Sequence, residues 1–175
     1  RVYIEKKNST KKRPLGIPST EDKLVQEVVK MILGSIYEPN FSDYSHGFRP
    51  NRSCHSALQQ IQNQFTGITW FVEGDIHACF DSFDHHVLVN ILRERIEDEN
   101  FLALIWKMLK AGYMEQWVYN CTFSGTPQGS GVSPMLANIY LSKLDEFAER
   151  LKKEFSKGKS KDNLEYSRAA SKLYY

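Results

Sequence analysis

An apolar run that ends on an acid, Trp70-Phe71-Val72-Glu73-Gly74-Asp75-Ile76, interrupts a chain whose other long segments have helical spacing. The run is too short and too rich in aromatic and β-branched residues for a helix, so it reads as a β-strand. Around it, Leu24, Val25, Val28, Val29, Ile32 and Leu33 share one face of a helix expected over about 21–37. Ser19 or Thr20 can cap that helix, and Pro39 follows its end. A second helix is expected over about 53–65, with Leu58, Ile61 and Phe65 as its apolar side. Asp84 caps a third over about 85–96, and a fourth covers about 101–111. Ser133-Pro134 opens a long amphipathic helix to about 155. A hairpin is expected at the start, from Val2-Tyr3-Ile4 and the segment Lys11 through Pro18, with Asn8-Ser9-Thr10 at its turn. One or two strands fall within 113–122, and Lys172-Leu173-Tyr174-Tyr175 reads as the start of another. Many helices and a few antiparallel strands make the fold class α+β.

Of the 175 residues, 41% are apolar and 25% charged, which is globular composition rather than disordered. No apolar run is long enough to span a membrane, and the basic start is not followed by a signal-peptide core. Cys54, Cys79 and Cys121 are odd in number and widely spaced, which speaks against a disulfide framework. These features together read as an intracellular protein that is not secreted, in the bacterial cytoplasm or an organelle. Charge is uneven: +4 over residues 1–30, −7 over 31–149 and +5 over 150–175. Basic flanks around an acidic centre suit a protein that grips a polyanion and gathers carboxylates, although solvated faces give the same numbers.

Two segments carry chemistry. A carboxylate such as Asp75, at the exposed end of a strand where the chain turns, can hold Mg²⁺ against a phosphate. Asp81 and Asp84 follow, and taken alone such residues more often make turns and caps. The second segment is Ser124-Gly125-Thr126-Pro127-Gln128-Gly129-Ser130-Gly131-Val132-Ser133-Pro134, immediately before a helix. Its glycines allow close backbone approach to a flat ligand, and Gln128 has both a donor and an acceptor for a base or sugar edge. No Gly-Lys-Ser/Thr follows, so it is not a Walker A loop. A zinc site built from Cys79 with His77, His85 or His86 fits no common ligand spacing. The pair His85-His86 reads as the start of a solvent-facing helical turn.

Together these segments resemble known motifs. Asp75-x-x-x-x-Phe80, followed about fifty residues later by Pro127-Gln128-Gly129-x-x-x-Ser133-Pro134, is similar to motifs A and B of the reverse transcriptase palm. Arg13-Pro14-Leu15-Gly16-Ile17-Pro18 with Asp22-Lys23-Leu24-Val25-Gln26, and then Ser45-His46-Gly47-Phe48-Arg49-Pro50-Asn51-Arg52-Ser53, resemble the fingers motifs of group II intron reverse transcriptases, which also act as maturases. The four motifs occur in order over about 1–150.

The resemblance implies a right-hand polymerase whose helix-rich fingers pack on a small antiparallel palm sheet. Residues 1–68 would be fingers, 69–87 the motif A part of the palm, 88–122 helices between fingers and palm, and 123–175 the motif B loop, long helix and insertion. Asp75 would be the first metal-binding and catalytic carboxylate, with the Ile76 carbonyl as a second ligand in a two-ion Mg²⁺ site. Phe80 would be the gate that excludes a 2′-hydroxyl. Pro127, Gln128 and Gly129 would line the deoxynucleotide pocket, and Arg13, Lys23 and Arg49 would hold triphosphate or template phosphates. Lys11, Lys12 and Arg52 would meet RNA. The implied partners are intron RNA, a template–primer duplex and deoxynucleoside triphosphates, with pairing between copies of the chain left open. The family also needs a Tyr-x-Asp-Asp hairpin after the insertion, and no Asp-Asp pair occurs in the sequence. The chain is therefore expected to be a fragment that binds RNA and does not polymerise. Two alternatives are a non-catalytic, maturase-like splicing factor and the polymerase of a retron or diversity-generating element.

Overall fold

Side-chain caps set where the helices begin. In the computed structural model, which describes residues 2–5, 12–122, 124–126 and 129–156, Ser19 Oγ accepts from the Asp22 N–H at 3.1 Å and opens α1, Thr20–Tyr37. Ser53 and Ser56 form a reciprocal capping box at α2, Cys54–Gln64. After the single turn α3, Cys79–Ser82, Asp84 accepts from the His86 and Val87 N–H groups and starts α4, His85–Arg93. Asp98 does the same for α5, Glu99–Lys110, through the Asn100 and Phe101 N–H groups. The last helix, α6, runs over Ser133–Ser156. A 3-10 turn, Glu38–Asn40, continues from α1.

The strands form two separate antiparallel hairpins. β1, Val2–Glu5, pairs with β2, Lys12–Leu15, in the register Val2 to Leu15 and Glu5 to Lys12. β3, Tyr113–Glu115, pairs with β4, Val118–Asn120. Their two-residue turn, Gln116-Trp117, has φ of 47° and 66°. Two positive values match a type I′ turn, which here carries neither Asn nor Gly. The hairpin, helix and α+β expectations all appear in these elements.

The chain divides into two compact units, Arg1–Pro39 with His77–Tyr140, and Asn40–Ile76 with Leu141–Tyr175. In the first, Leu33, Leu88, Leu92, Leu102, Ile105, Leu109 and Ile139 are almost wholly buried. Each such side chain contributes about 1.5–3 kcal/mol by leaving water. The Tyr37 hydroxyl donates to the Leu92 carbonyl at 3.3 Å, tying the end of α1 to the end of α4. In the second unit Phe41 and Asp145 are buried, whereas α2 buries no residue.

Two expectations change. The buried stripe of α1 is Val29, Leu33 and Tyr37, while Leu24, Val25, Val28 and Ile32 stay exposed. Helical spacing fixes which residues share a face, not how much of that face the chain covers. The run 70–76 is not a strand. Trp70, Phe71 and Val72 are all exposed, and no second segment pairs with them among the described residues. A strand exists only through its ladder partner, and local composition cannot supply one. The turn expected at Asn8-Ser9-Thr10 and the strand expected at 172–175 lie outside the described residues.

Candidate active site

The segment after Asp75 turns abruptly. Ala78 adopts φ 50°, a left-handed value, before the single turn α3, and Phe83 is extended before Asp84 caps α4. Asp75 itself is exposed and has no hydrogen bond or ion pair among the described residues. It sits before a turn rather than at the end of a strand. Asp84 is held below the usual carboxylate range first by the Val87 N–H, as its cap role requires. Phe80 is half-buried, with its ring edge-on to Phe83 at 6.4 Å between centroids. Phe83 in turn packs on Tyr140 of α6 at 4.6 Å.

The residues before Pro127 are fastened to this corner. The Gly125 N–H donates to the Phe83 carbonyl at 2.7 Å, and the Thr126 N–H donates to the Phe80 carbonyl at 2.6 Å. Ser124 Oγ donates to the Asp81 carbonyl at 3.0 Å. Gly125 has φ 77°, and a Cβ there would lie 2.6 Å from the Asp81 Cα. Only glycine tolerates both the dihedral and the approach. His85 completes the set: its Nε2 donates to the Gly125 carbonyl at 2.6 Å. A carbonyl only accepts, so Nε2 carries the proton. His85 is 3% exposed and also meets Trp106 edge-on.

The residues after Gln128 are fastened elsewhere in the same unit. Gly129 has φ 104° and lies against the backbone of Gly16 and the side chain of Leu15, at the end of β2. Gln26 of α1 accepts through Oε1 from the Ser130 hydroxyl at 3.0 Å and from the Gly131 N–H at 3.1 Å. Pro127 and Gln128 lie outside the described residues, between these two attachments.

The expected basic residues have diverse settings. Lys12 and Lys23 are exposed, whereas Lys11 and the Arg13 side chain lie outside the described residues. Arg49 donates through Nη1 to the Ser42 and Ser45 carbonyls at 2.6 and 2.9 Å and lies over the Phe41 ring at 5.3 Å. Arg52 donates to the Asp43 carbonyl at 2.8 Å and pairs with its carboxylate at 3.2 Å. Asp75, Ile76, Arg49 and Arg52 belong to the second unit, and Lys23, Phe80 and Gly129 to the first. No cluster of three His, Cys, Asp or Glu side chains suited to a metal occurs among the described residues.

Sequence reasoning passed over Gln26 and His85 as site residues and expected His85 to face solvent. A signal for its burial was present: His85, Leu88, Val89 and Leu92 have the spacing of one helical stripe, and all are buried.

The pattern described as "Reverse transcriptase (RNA-dependent DNA polymerase)" matches residues 4–161. The chain belongs to the reverse transcriptase family. Both the turn after Asp75 and the fastened loop 124–131 fall within this reverse transcriptase match. The group II intron-encoded protein LtrA of Lactococcus lactis subsp. cremoris is 58% identical over 90% of the chain and 26% of its own length. A 91 kDa protein in the cob intron of Schizosaccharomyces pombe is 56% identical over 89% of the chain and 19% of its own length. The mitochondrial nuclear intron maturase 1 of Arabidopsis thaliana is 40% identical over 53% of the chain and 13% of its own length. The chain thus spans about a quarter or less of the length of these relatives. No helix among the described residues is long and apolar enough to cross a membrane.

Proposed function

We propose that this chain supplies the fingers and part of the palm of an RNA-directed DNA polymerase encoded by a group II intron, a protein that also assists splicing of its intron RNA. The observation that carries the reading is the fastening of 124–126 to the Phe80–His85 corner by four hydrogen bonds within one unit. Two segments that matter to nucleotide binding by resemblance are thereby kept together. In this reading Phe80 bars a 2′-hydroxyl, and Pro127, Gln128 and Gly129 line the deoxynucleotide pocket. Lys23 and Arg13 meet triphosphate or template phosphates, and Lys11 and Lys12 meet RNA. Arg49 and Arg52, bonded to loop carbonyls, shape the Ser42–Ser53 segment and add charge beside the RNA. The exposed stripe of Leu24, Val28 and Met31 on α1 supports pairing between copies.

Asp75 fits the role of a Mg²⁺ ligand, because its carboxylate is an exposed hard oxygen donor with no competing partner among the described residues. The Ile76 carbonyl would be its neighbour on the ion. Bound there with a second ion, Mg²⁺ would activate the primer 3′-hydroxyl and neutralise charge on the departing pyrophosphate. The second carboxylate pair of such a site has no counterpart in this sequence. The chain by itself is therefore read as RNA-binding and not polymerising, with affinity that falls steeply as salt rises.

The test is a chimera in which this chain replaces the matching segment of the Lactococcus lactis relative. Asp75→Asn is expected to lower primer extension on RNA at least about a hundredfold, the rate equivalent of a few kcal/mol of lost charge stabilisation. RNA affinity should be unchanged. Extension at the unsubstituted rate would refute the assignment.

A further inference from the structure

We infer that His85 is a positioning residue for sugar selection: it sets the spacing between the Phe80 turn and the loop that leads into Pro127-Gln128. This inference rests on the nucleotide-pocket reading above and assigns a role to a residue to which the resemblance gave none. Gly125 is gripped through both of its backbone groups, its N–H by the Phe83 carbonyl and its carbonyl by His85. One residue later, the Thr126 N–H is bound by the carbonyl of Phe80 itself. The backbone that carries the Phe80 ring and the backbone entering the pocket loop are therefore in direct contact. A gate works by distance, so a shift of either strand of this contact changes what it excludes.

Three features make His85 the holder rather than a bystander. It is the first residue of α4, and the Asp84 cap fixes the backbone around it. Its ring is buried against Trp106. Of its two ring nitrogens, Nε2 is spent on Gly125, while Nδ1 is buried with no hydrogen-bond partner among the described residues. A buried histidine kept for packing alone would be replaced by an apolar ring at little cost. Here one nitrogen is left unsatisfied in order to aim the other at a backbone carbonyl, which is what a positional constraint demands. The Thr126 hydroxyl is likewise buried, with no hydrogen-bond partner among the described residues.

The experiment compares His85→Ala, His85→Gln and Phe80→Ala in the chimera described above, with kcat/KM measured separately for deoxy- and ribonucleotides. Gln places an amide N–H where Nε2 stands, so it can still donate to Gly125. His85→Ala is expected to lower deoxy-over-ribo discrimination about tenfold, the scale of one lost buried hydrogen bond, with a smaller fall in kcat on deoxynucleotides. His85→Gln should restore most of the discrimination. In the 175-residue chain, amide exchange at Gly125 and Thr126 should quicken in His85→Ala and recover in His85→Gln. Unaltered discrimination in His85→Ala, with Phe80→Ala relaxed, would overturn the inference and spare the gate reading. Unaltered discrimination in Phe80→Ala would overturn the gate reading itself. Equal loss in His85→Ala and His85→Gln, with global exchange raised in both, would show a packing role only and also overturn the inference.

Discussion

Replacing Asp145 should change how the stability of this chain depends on pH. Asp145 lies on α6, 7% exposed, in a cleft of about 710 Å³ that Phe41, Asp43, Tyr44, Glu149 and Arg150 help to line. Burial raises its pKa from 3.8 to about 6; the Arg49 charge opposes the rise, and Glu146 and Glu149 reinforce it. At 1.36 kcal/mol per pKa unit the difference is worth about 3 kcal/mol at most. The cleft opens to solvent, and screening there reduces the figure to about 1–2 kcal/mol. The sign follows from proton uptake. Between about 4 and 6 the folded chain holds a proton at Asp145 that the unfolded chain has lost, so this contribution is full below about 4 and is lost as pH rises through about 6. Asp145→Asn carries no charge at any of these values. Urea denaturation followed by far-ultraviolet circular dichroism should show the variant gaining about 1–2 kcal/mol on the parent between pH about 4.5 and about 7.5. Using the difference between the two proteins cancels every other titrating group they share. A difference that stays constant over that interval, or moves the other way, would refute the reasoning.

The loop attachments give two further expectations. Gln26→Ala removes the acceptor of the Ser130 hydroxyl, which is 8% exposed, and should cost about 1–3 kcal/mol in urea denaturation; an unchanged midpoint would mean that water replaces the glutamine. Gly129→Ala places a Cβ against the Gly16 carbonyl at φ 104° and should cost about 1–3 kcal/mol of strain. Thermal melting checks it, and a melting temperature equal to that of the parent would show that the loop shifts freely.

What the sequence revealed divides by range. Ser19 and Asp84 were legible as caps because they act on N–H groups two or three residues away; Ser53 and Asp98 act over the same short range but were not singled out, and α5 begins two residues before the expected start at about 101. The first hairpin was legible from Val2-Tyr3-Ile4 and the segment after it, whereas the second, whose Gln116-Trp117 turn has no Gly or Asn, was legible only as one or two strands. The run 70–76 failed because a ladder needs a partner from a distant part of the chain. The same limit applied to the site. Asp75 and Phe80 could be picked out by their pattern, but the link from Gly125 to His85 spans 40 residues and the link from Gln26 to Ser130 spans 104. Nor could composition tell that the guanidinium groups of Arg49 and Arg52 are bonded to carbonyls of their own loop. A basic residue looks the same in a sequence whether it faces phosphate or folds back on the chain.

The attachments on either side of Pro127-Gln128 also set a rule about chain length. Thr126 is fixed to the Phe80 carbonyl and Gly129 lies on the Gly16 backbone, so just two residues span the interval between the anchors. At full extension each residue reaches about 3.3–3.6 Å, so the two anchors are joined by a short covalent tether. An added residue would lengthen that tether and a removed one would shorten it, whereas an exchange of side chains leaves its length as it is. Substitution between the anchors therefore alters the chemistry of the tether and not its covalent reach.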